Sequence, residues 1–385
     1  MVNLHAVIVK FIFALQLGFT APQLRHLVAF VHGIILHEGR KTVTQIGRVA
    51  GVNRHLSSTT RFLNESPWSV QHLQQRRLTL LLEQIRRTKG KRVVFLLIDD
   101  TACKKKPTTC RMEALDFHFA HDEGKSVWSH SLVTMHVVCE ANSFAWDFRP
   151  YFREQACEER GQTYKSKNEL AMEMVASFPA TEEEQVYVLA DSWYTSQKML
   201  DLCQTRGFHV IAAVKTNRKI CPAGVRISIS NFASQYMGND DLCSVTVEDT
   251  RYRVYAYEGP LAETENVRVL LSWEGRFDAN RTPFCIVCTD ATLDLVTILT
   301  YYRTRWHIET GYRYFKELLG FDHYQLLSFT GIQRFWEIQF LTQNLLEGQR
   351  HIWSDRHHPL TLGDVVRRIR YEHRGQMLVY VYESA

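Results

Sequence analysis

The sequence predicts a mixed α/β protein whose sheet lies between an N-terminal helical region and further helices toward the C-terminus. Apolar residues recur at helical spacing over about the first ninety positions. Short apolar runs rich in β-branched residues then alternate with helical segments, and a turn-rich, strand-like stretch follows from about 215 to 290. With 385 residues, of which 45% are hydrophobic and 23% charged, the chain has the composition of an ordinary globular protein.

Residues 1–90 are predicted to be a helical DNA-binding region with a candidate helix-turn-helix near 42–63. Thr42 followed three residues later by Gln45 is a capping-box pattern that opens a helix. Gly51 suits a tight turn, and Asn53 can cap a second helix. A plain helical hairpin in a bundle explains the same pattern equally well.

The chain is expected to be cytoplasmic and to lack a membrane span. Lys10 interrupts the apolar N-terminal run and no basic segment precedes it, so no signal peptide is predicted. The nine cysteines are odd in number and widely spaced, which favours reduced thiols. The single C-x-x-C pair, Cys285 and Cys288, lies in a predicted strand, where residues three apart point to opposite faces and cannot easily hold one zinc ion. The formal net charge of +5 tilts mildly toward polyanionic partners.

The segment order after residue 90 is that of a mixed sheet. The strand VVFLLID is followed by two probable strands, a helix, the strand QVYVLAD, a second helix and a further strand, which is the order β-β-β-α-β-α-β. We predict core segments at 91–214 and 291–347, a β-rich insertion at 215–290 and a C-terminal region at 348–385.

Two aspartates follow apolar strands of this sheet. Asp99 is predicted at the tip of the first strand and Asp191 at the tip of the strand that contains VYVLA. Side chains at such tips project into a crevice while the backbone stays rigid. Asp100 is the rival of Asp99, but Asp99 directly continues the apolar run and its neighbour points to the opposite face. Each aspartate alone is more simply explained as a loop cap.

One acid stands among basic and aromatic residues in the helical stretch YYRTRWHIETGYRYFKELLG. At about 100° per residue, Tyr302, Arg305, Glu309 and Lys316 share one narrow face of a continuous helix, and the aliphatic residues share the other. The competing interpretation is a solvated face on which Glu309 pairs with Arg305 or Arg313.

Three acids brought together repel one another, and hard divalent cations relieve that repulsion. Asp99, Asp191 and Glu309 are therefore the candidate catalytic and metal-ligating residues, for two Mg2+ or Mn2+ ions. Two such ions suit phosphodiester chemistry. The neighbouring arginine, lysine and tyrosine are suited to hold phosphates.

At these residues the chain resembles the DDE transposases of bacterial insertion sequences, in the branch marked by a Y-(2)-R-(3)-E-(6)-K element. That element reads here as Tyr302, Arg305, Glu309 and Lys316, with every spacing matched, and LLIDDT and VLADSWYTS match the settings of the two aspartates. The resemblance implies a ribonuclease H-like catalytic domain interrupted by a β-rich insertion.

The resemblance also implies the partners and contacts. The three acids would bind Mg2+ or Mn2+, and Tyr302, Arg305 and Lys316 would contact the transposon end. Related transposases act as dimers on paired ends, so a DNA-induced homodimer is expected, with double-stranded DNA of the terminal inverted repeats and of the target as partners. Further candidate DNA contacts are Arg313, Lys104, Lys105, Trp193 and Trp273. For the tryptophans a packing role, and for the lysines a solvated loop, are the simpler explanations.

The sequence thus favours a DNA transposase that cleaves element ends and joins them to target DNA. A ribonuclease H-like nuclease or junction resolvase would share the metal site without the joining step. A domesticated, non-catalytic DNA-binding protein is the other alternative, although a pure binder gains nothing from three mutually repelling acids. A zinc hydrolase lacks support, because His357 and His358 are adjacent and precede a proline.

Overall fold

The computed structural model describes residues 4–50, 56–109, 111–120, 123–261, 264–355 and 357–384. The helices are α1 Ala6–Ala14, α2 Ala21–Leu36, α3 Val43–Ala50, α4 Leu56–Asn64, α5 Val70–Ile85, α6 Glu154–Glu159, α7 Lys167–Ser177, α8 Gln197–Thr205, α9 Ile229–Gln235, α10 Leu295–Arg303, α11 Trp306–Arg313, α12 Phe329–Trp353 and α13 Leu362–Ser384. The strands are β1 Arg92–Lys104, β2 Asp116–Ala120, β3 Lys125–Cys139, β4 Asn142–Tyr151, β5 Glu184–Ala190, β6 His209–Ala213, β7 Lys219–Ile220, β8 Ile227–Ser228, β9 Cys243–Val247, β10 Thr250–Leu261, β11 Thr264–Glu274 and β12 Phe284–Cys288. Within these ranges, none of the helices has the length and apolar character that crossing a membrane requires.

A mixed sheet of ten strands organises the described part of the chain. Its order is β2-β3-β1-β5-β6-β12-β11-β10-β9, and β4 also pairs with β3. The strands β1, β5 and β6 run parallel to one another, whereas β3 is antiparallel to β1 and to β4. The predicted order β-β-β-α-β-α-β is confirmed by β1, β3, β4, α7, β5, α8 and β6. The short strand β2 was not predicted.

The β-rich stretch after residue 214 extends this sheet edge to edge. β12 pairs antiparallel with β6, and β11, β10 and β9 follow outward. The prediction of a strand at RISIS is wrong beyond its first residues, because β8 ends at Ser228 and α9 begins at Ile229. Ser228 explains the change, since its Oγ accepts a hydrogen bond from Asn231 N at 3.3 Å and so caps the helix. Cys285 and Cys288 on β12 belong to core clusters on opposite faces of the sheet, as predicted.

The N-terminal helices pack closely on one another. A Cβ added at Gly33 of α2 would lie 2.4 Å from the carbonyl oxygen of Ile46 on α3, so these two helices need a glycine where they cross. The predicted cap of α3 is present, because Thr42 Oγ1 accepts from Gln45 N at 3.3 Å. The predicted turn at Gly51 and cap at Asn53 lie outside the described residues.

The long helix α12 covers the outer edge of β4 with side chains in place of a further strand. Gln343 bonds both Ala145 N and Ser143 O at 3.0 Å, and Glu347 accepts from Ser143 N at 2.8 Å. Asn344 donates to Ala145 O at 3.0 Å. A sheet edge with unpaired backbone groups invites pairing with another chain, and these side chains occupy those groups.

A buried ion pair joins the same region to α5. Arg77 Nε lies 2.7 Å from Glu337 Oε1, and both side chains are completely buried. Arg77 also donates to the carbonyl oxygens of Ala145 and Trp146 at 2.9 and 3.0 Å. The guanidinium thus satisfies a buried acid and two strand carbonyls at once.

Candidate active site

The first two candidate acids lie level with each other on neighbouring parallel strands. The pairing of β1 with β5 ends at Ile98 and Ala190. Asp99 follows on β1, and Asp191 is the first residue after β5. The prediction that Asp99 lies at the tip of its strand is wrong, because β1 continues to Lys104 while paired with β3 alone. What ends at Ile98 is the parallel pairing, and this opens the crevice into which both acids project.

Asp99 is half-buried and lies close to two other acids and to the guanidinium of Arg305. Its Oδ1 accepts a hydrogen bond from Asp100 N at 2.8 Å. Burial raises the pKa of Asp99 to about 7, and the charges of Asp100 and Asp191 add to that shift. A nearby cation stabilises the charged form of a carboxyl group in such a setting.

Asp100 points away from this crevice and is already paired. Its Oδ2 accepts from Lys167 Nζ at 2.5 Å, and its Oδ1 accepts from Tyr194 Oη at 3.0 Å. The alternation of side chains along a strand places the two neighbours on opposite faces. The geometry therefore favours Asp99 over Asp100 as the acid that faces Asp191.

Asp191 holds the turn that follows β5. Its Oδ1 accepts from Trp193 N at 2.9 Å and from Tyr194 N at 3.4 Å, and its carbonyl oxygen accepts from Thr195 Oγ1 at 2.9 Å. The loop-cap interpretation is thus part of its role. The cap also fixes the direction of the carboxylate, because the backbone N–H groups of the turn donate hydrogen bonds to one of its two oxygens.

The helical stretch that carries Glu309 is not continuous, so the prediction of one long helix is wrong. α10 ends at Arg303 and α11 begins at Trp306. In between, Thr304 N and Arg305 N each donate to the carbonyl oxygen three residues earlier at 3.0 Å, which is a tighter turn than an α-helix makes. A π-helical turn, Tyr314–Leu318, follows α11.

Helix α11 rests directly on β3 through a glycine. A Cβ added at Gly311 would lie 2.6 Å from Cε1 of His136, whose ring is completely buried. The next residue, Tyr312, is hydrogen-bonded through its hydroxyl to Thr134 Oγ1. Since Thr134 pairs with Asp99 in the β1–β3 register, these contacts place α11 beside the first acid.

Arg305 links the helical acid to the strand acid. Its Nη1 lies 3.6 Å from Asp99 Oδ2, and its Nη2 donates a hydrogen bond to Glu309 Oε1. The guanidinium also lies 5.8 Å from the ring centroid of Tyr302. Burial raises the pKa of Tyr302, whose hydroxyl also lies within the electrostatic reach of Asp191 and Glu309. The pairing of Glu309 with Arg305, which belongs to the competing interpretation of this helix face, is therefore present, and the same arginine also contacts Asp99.

The donor chemistry of this site suits a hard divalent cation, but the present arrangement of side chains does not yet surround one. Among the described residues, no three His, Cys, Asp or Glu side chains are placed to hold one ion. The cation between Asp99 and Glu309 is the guanidinium of Arg305. Carboxylates are the ligands that Mg2+ and Mn2+ prefer, and such an ion would stabilise the charged form of Asp99, whose pKa is raised.

The other predicted contacts are divided between the surface and the interior. Arg313 is exposed and Lys316 is half-buried. Lys104 pairs with Glu123 at 2.8 Å. Lys105 does not point outward as predicted, because its ammonium group donates to the carbonyl oxygens of Asp322 and Tyr324.

One of the two candidate tryptophans is buried and the other is exposed. Trp273 is only 2% exposed, packs edge-on against Phe277 and donates from Nε1 to Arg281 O at 2.9 Å. The ring is part of the core, which is the packing role given above as the simpler explanation for Trp273. Trp193 is 48% exposed and lies beside Asp191.

Sequence reasoning missed an aromatic cavity of about 600 Å3 next to Arg305. Tyr302 lines it together with Phe284 and with Trp306, which is 66% exposed. The signal available in the sequence was the tryptophan directly after Arg305, which lies outside the four-residue element. The partners of Asp100, Lys167 and Tyr194, were also missed, since they are distant along the chain.

Two comparisons with known proteins show what this chain is similar to. A family model described as DDE superfamily endonuclease matches residues 14–239, more than half of the chain. The matched range contains Asp99 and Asp191 and ends before Glu309. The probable transposase for insertion sequence element IS701 of Microchaete diplosiphon is 26% identical over 204 residues, which is 52% of this chain and 52% of that protein. The chain thus spans about half the length of the curated relative it matches.

Proposed function

Because the chain belongs to the DDE superfamily endonuclease family, we propose that it is a DNA transposase, which cuts the ends of a mobile element and joins them to target DNA. The observation that supports the proposal is that Arg305 contacts both Asp99 and Glu309, while Asp191 directly follows the strand that pairs with β1. We assign the sheet to the ribonuclease H-like fold on the spatial order β4-β3-β1-β5-β6. Tyr302, Arg305, Glu309 and Lys316 then form the four-residue element of its branch.

Asp99, Asp191 and Glu309 would hold two Mg2+ or Mn2+ ions. When bound, such ions activate an attacking oxygen and stabilise the leaving oxygen of a phosphodiester. In the first step water attacks phosphorus and the bond to the 3′ oxygen of the element breaks, which leaves a 3′ hydroxyl. In the second step that hydroxyl attacks a target phosphodiester and the target 3′ oxygen leaves.

Arg305 has a second role in this proposal. For the three acids to hold ions, its guanidinium has to turn away from Asp99 and Glu309. A DNA phosphate is the anion that would receive it, since arginine binds phosphate through paired hydrogen bonds. Tyr302 and Lys316 would hold the same strand, and a homodimer would pair two element ends.

The experiment is strand cleavage and strand transfer with a duplex taken from the DNA that flanks the coding sequence, in Mg2+ or Mn2+. We expect Asp99→Asn, Asp191→Asn and Glu309→Gln each to lower the cleavage rate by at least a hundredfold, because each removes a charged ligand. Binding of Mn2+ to the protein–DNA complex, followed by electron paramagnetic resonance, should weaken in the same three variants.

Glu317→Gln is the matched control for Glu309→Gln, because Glu317 is exposed on the adjoining π-helical turn. Asp100→Asn tests the choice of first acid and should retain Mn2+ binding. Full activity in all three acid variants would contradict the assignment. Cleavage without any strand transfer would replace the transposase by a ribonuclease H-like nuclease. DNA binding without cleavage in the wild-type protein would favour a domesticated binding protein.

A further inference from the structure

A second groove begins where the candidate active site ends. It lies beside the turn after β5, and its volume is about 450 Å3. We call it the aromatic groove; it is lined by His118, Phe119, Tyr151, Tyr164, Ser166, Lys167, Asn168 and Trp193. Four of these residues are large aromatic side chains, and none of the described lining residues is acidic.

Exposed ring surface is combined with positive charge along this groove. Trp193 is 48% exposed and Tyr164 is 38% exposed. Lys215, which lies outside the lining, has its Nζ 5.2 Å from the ring centroid of Trp193. Lys167 Nζ lies 5.6 Å from the ring centroid of Tyr151 and is also paired with Asp100. Aromatic faces beside cations are the two features by which proteins bind unpaired nucleic acid strands.

The aromatic groove contacts one of the candidate acids directly. The backbone of Trp193 donates to Asp191 Oδ1 at 2.9 Å. Trp193 is therefore the lining residue nearest along the chain to the candidate active site.

One buried acceptor in the lining has no donor. Asn168 Nδ2 donates to Trp193 O at 3.2 Å, but no described residue donates to the buried Oδ1 of Asn168. A buried carbonyl oxygen without a partner is costly. A rotation of the Asn168 side chain that brings this oxygen to the groove surface would let an N–H group of an unpaired base satisfy it. Paired bases keep their hydrogen-bonding edges inside the duplex.

We propose that the aromatic groove binds a short single-stranded DNA segment next to the cleaved phosphodiester, with its bases stacked on Trp193 and Tyr164. This inference rests on the proposed function and adds that the strand is unpaired on this side of the cut. Aromatic stacking tolerates any base, so the segment is held without regard to its sequence.

The test is fluorescence anisotropy of the full chain with labelled (dT)12 and with a labelled duplex of the same length. We expect Trp193→Ala and Tyr164→Ala each to weaken (dT)12 binding roughly 5- to 100-fold, the range of one lost stacking contact. Trp193→Phe keeps an aromatic face and should recover most of the affinity. Duplex binding should change less than twofold, and Tyr236→Ala, an exposed tyrosine on the β-rich side, serves as the matched control.

Two results would overturn the inference that the groove binds unpaired DNA. Affinities for (dT)12 within twofold of wild type in both alanine variants overturn the inference. So does an equal loss of duplex binding, which would make the groove a general DNA contact. Circular dichroism reports folding of Trp193→Ala, and Tyr164→Ala carries the test if that variant is unfolded. Cleavage of duplex ends with Mg2+ is measured in parallel, so failure of the proposed function is seen separately as a wild-type protein that binds (dT)12 and never cuts.

Discussion

Gly311→Ala should destabilise the protein by pushing α11 away from the sheet. The added Cβ would lie 2.6 Å from His136 Cε1, whereas carbon atoms in contact are normally separated by about 3.5–4.0 Å. The ring of His136 is completely buried and has no room to give way into solvent. Overpacking of this kind costs about 1–3 kcal/mol, and replacing a helical glycine by alanine recovers about 0.5–1 kcal/mol. We therefore expect the free energy of unfolding to fall by about 1–2 kcal/mol.

Gly375→Ala on α13 is the matched control. Among the described residues, nothing lies within 4 Å of a Cβ added there, so the same substitution should stabilise the protein by about 0.5–1 kcal/mol. The assay is urea unfolding, with the midpoints compared at an unchanged slope. His136→Ala should remove most of the cost of Gly311→Ala in the double variant. A Gly311→Ala protein that unfolds at the wild-type urea concentration or above would refute the reasoning.

Three further predictions concern buried charge. Arg77→Met should lower the free energy of unfolding by about 3–5 kcal/mol in urea titrations, because it leaves the buried Glu337 without its partner. The pKa of His32 is lowered to about 3, mainly by burial and also by His373 and His5. As the pH falls, His32 therefore binds a proton in the unfolded chain before it does so in the folded chain. The contribution of this group to the free energy of unfolding is present above about pH 6.5 and is lost as the pH falls toward 3. His32→Leu should therefore reduce the difference in the free energy of unfolding between pH 7 and pH 5 by about 2 kcal/mol. Lys105→Met should lower stability while leaving the salt dependence of duplex binding unchanged, because its ammonium group bonds carbonyl oxygens inside the protein.

An exposed ion pair provides the control for Arg77→Met. Arg367→Met breaks an exposed pair with Asp364 and should cost less than about 1 kcal/mol. Equal losses in Arg77→Met and Arg367→Met, or a salt slope that falls by about one in Lys105→Met, would contradict the interpretation of these contacts.

The sequence predicted the parts of the site that depend on local pattern. The apolar runs before Asp99 and Asp191 predicted two adjacent strands, and alternation along a strand predicted that Asp99 and Asp100 point apart. The structure confirms both. The separation of the aliphatic residues onto their own helix face was also predicted, and Ile308 and Gly311 of α11 are buried.

What the sequence did not predict depends on contacts between distant residues. The break at Thr304 and Arg305 has no proline or glycine to mark it, and the turn is stabilised where Arg305 reaches Asp99, more than two hundred positions earlier. The inward direction of Lys105 has the same origin, because its partners at residues 322 and 324 are brought close only by the fold. Tertiary contacts of this kind override helix periodicity and charge pattern.

The covering of β4 by α12 has a consequence for the order in which the chain is made. Ser143 and its partner Glu347 are 204 residues apart, so a ribosome completes the strand long before it reaches the helix. A product terminated before residue 329 would display a bare strand edge and aggregate, and a gene with an early stop codon would yield insoluble protein in place of a competing fragment.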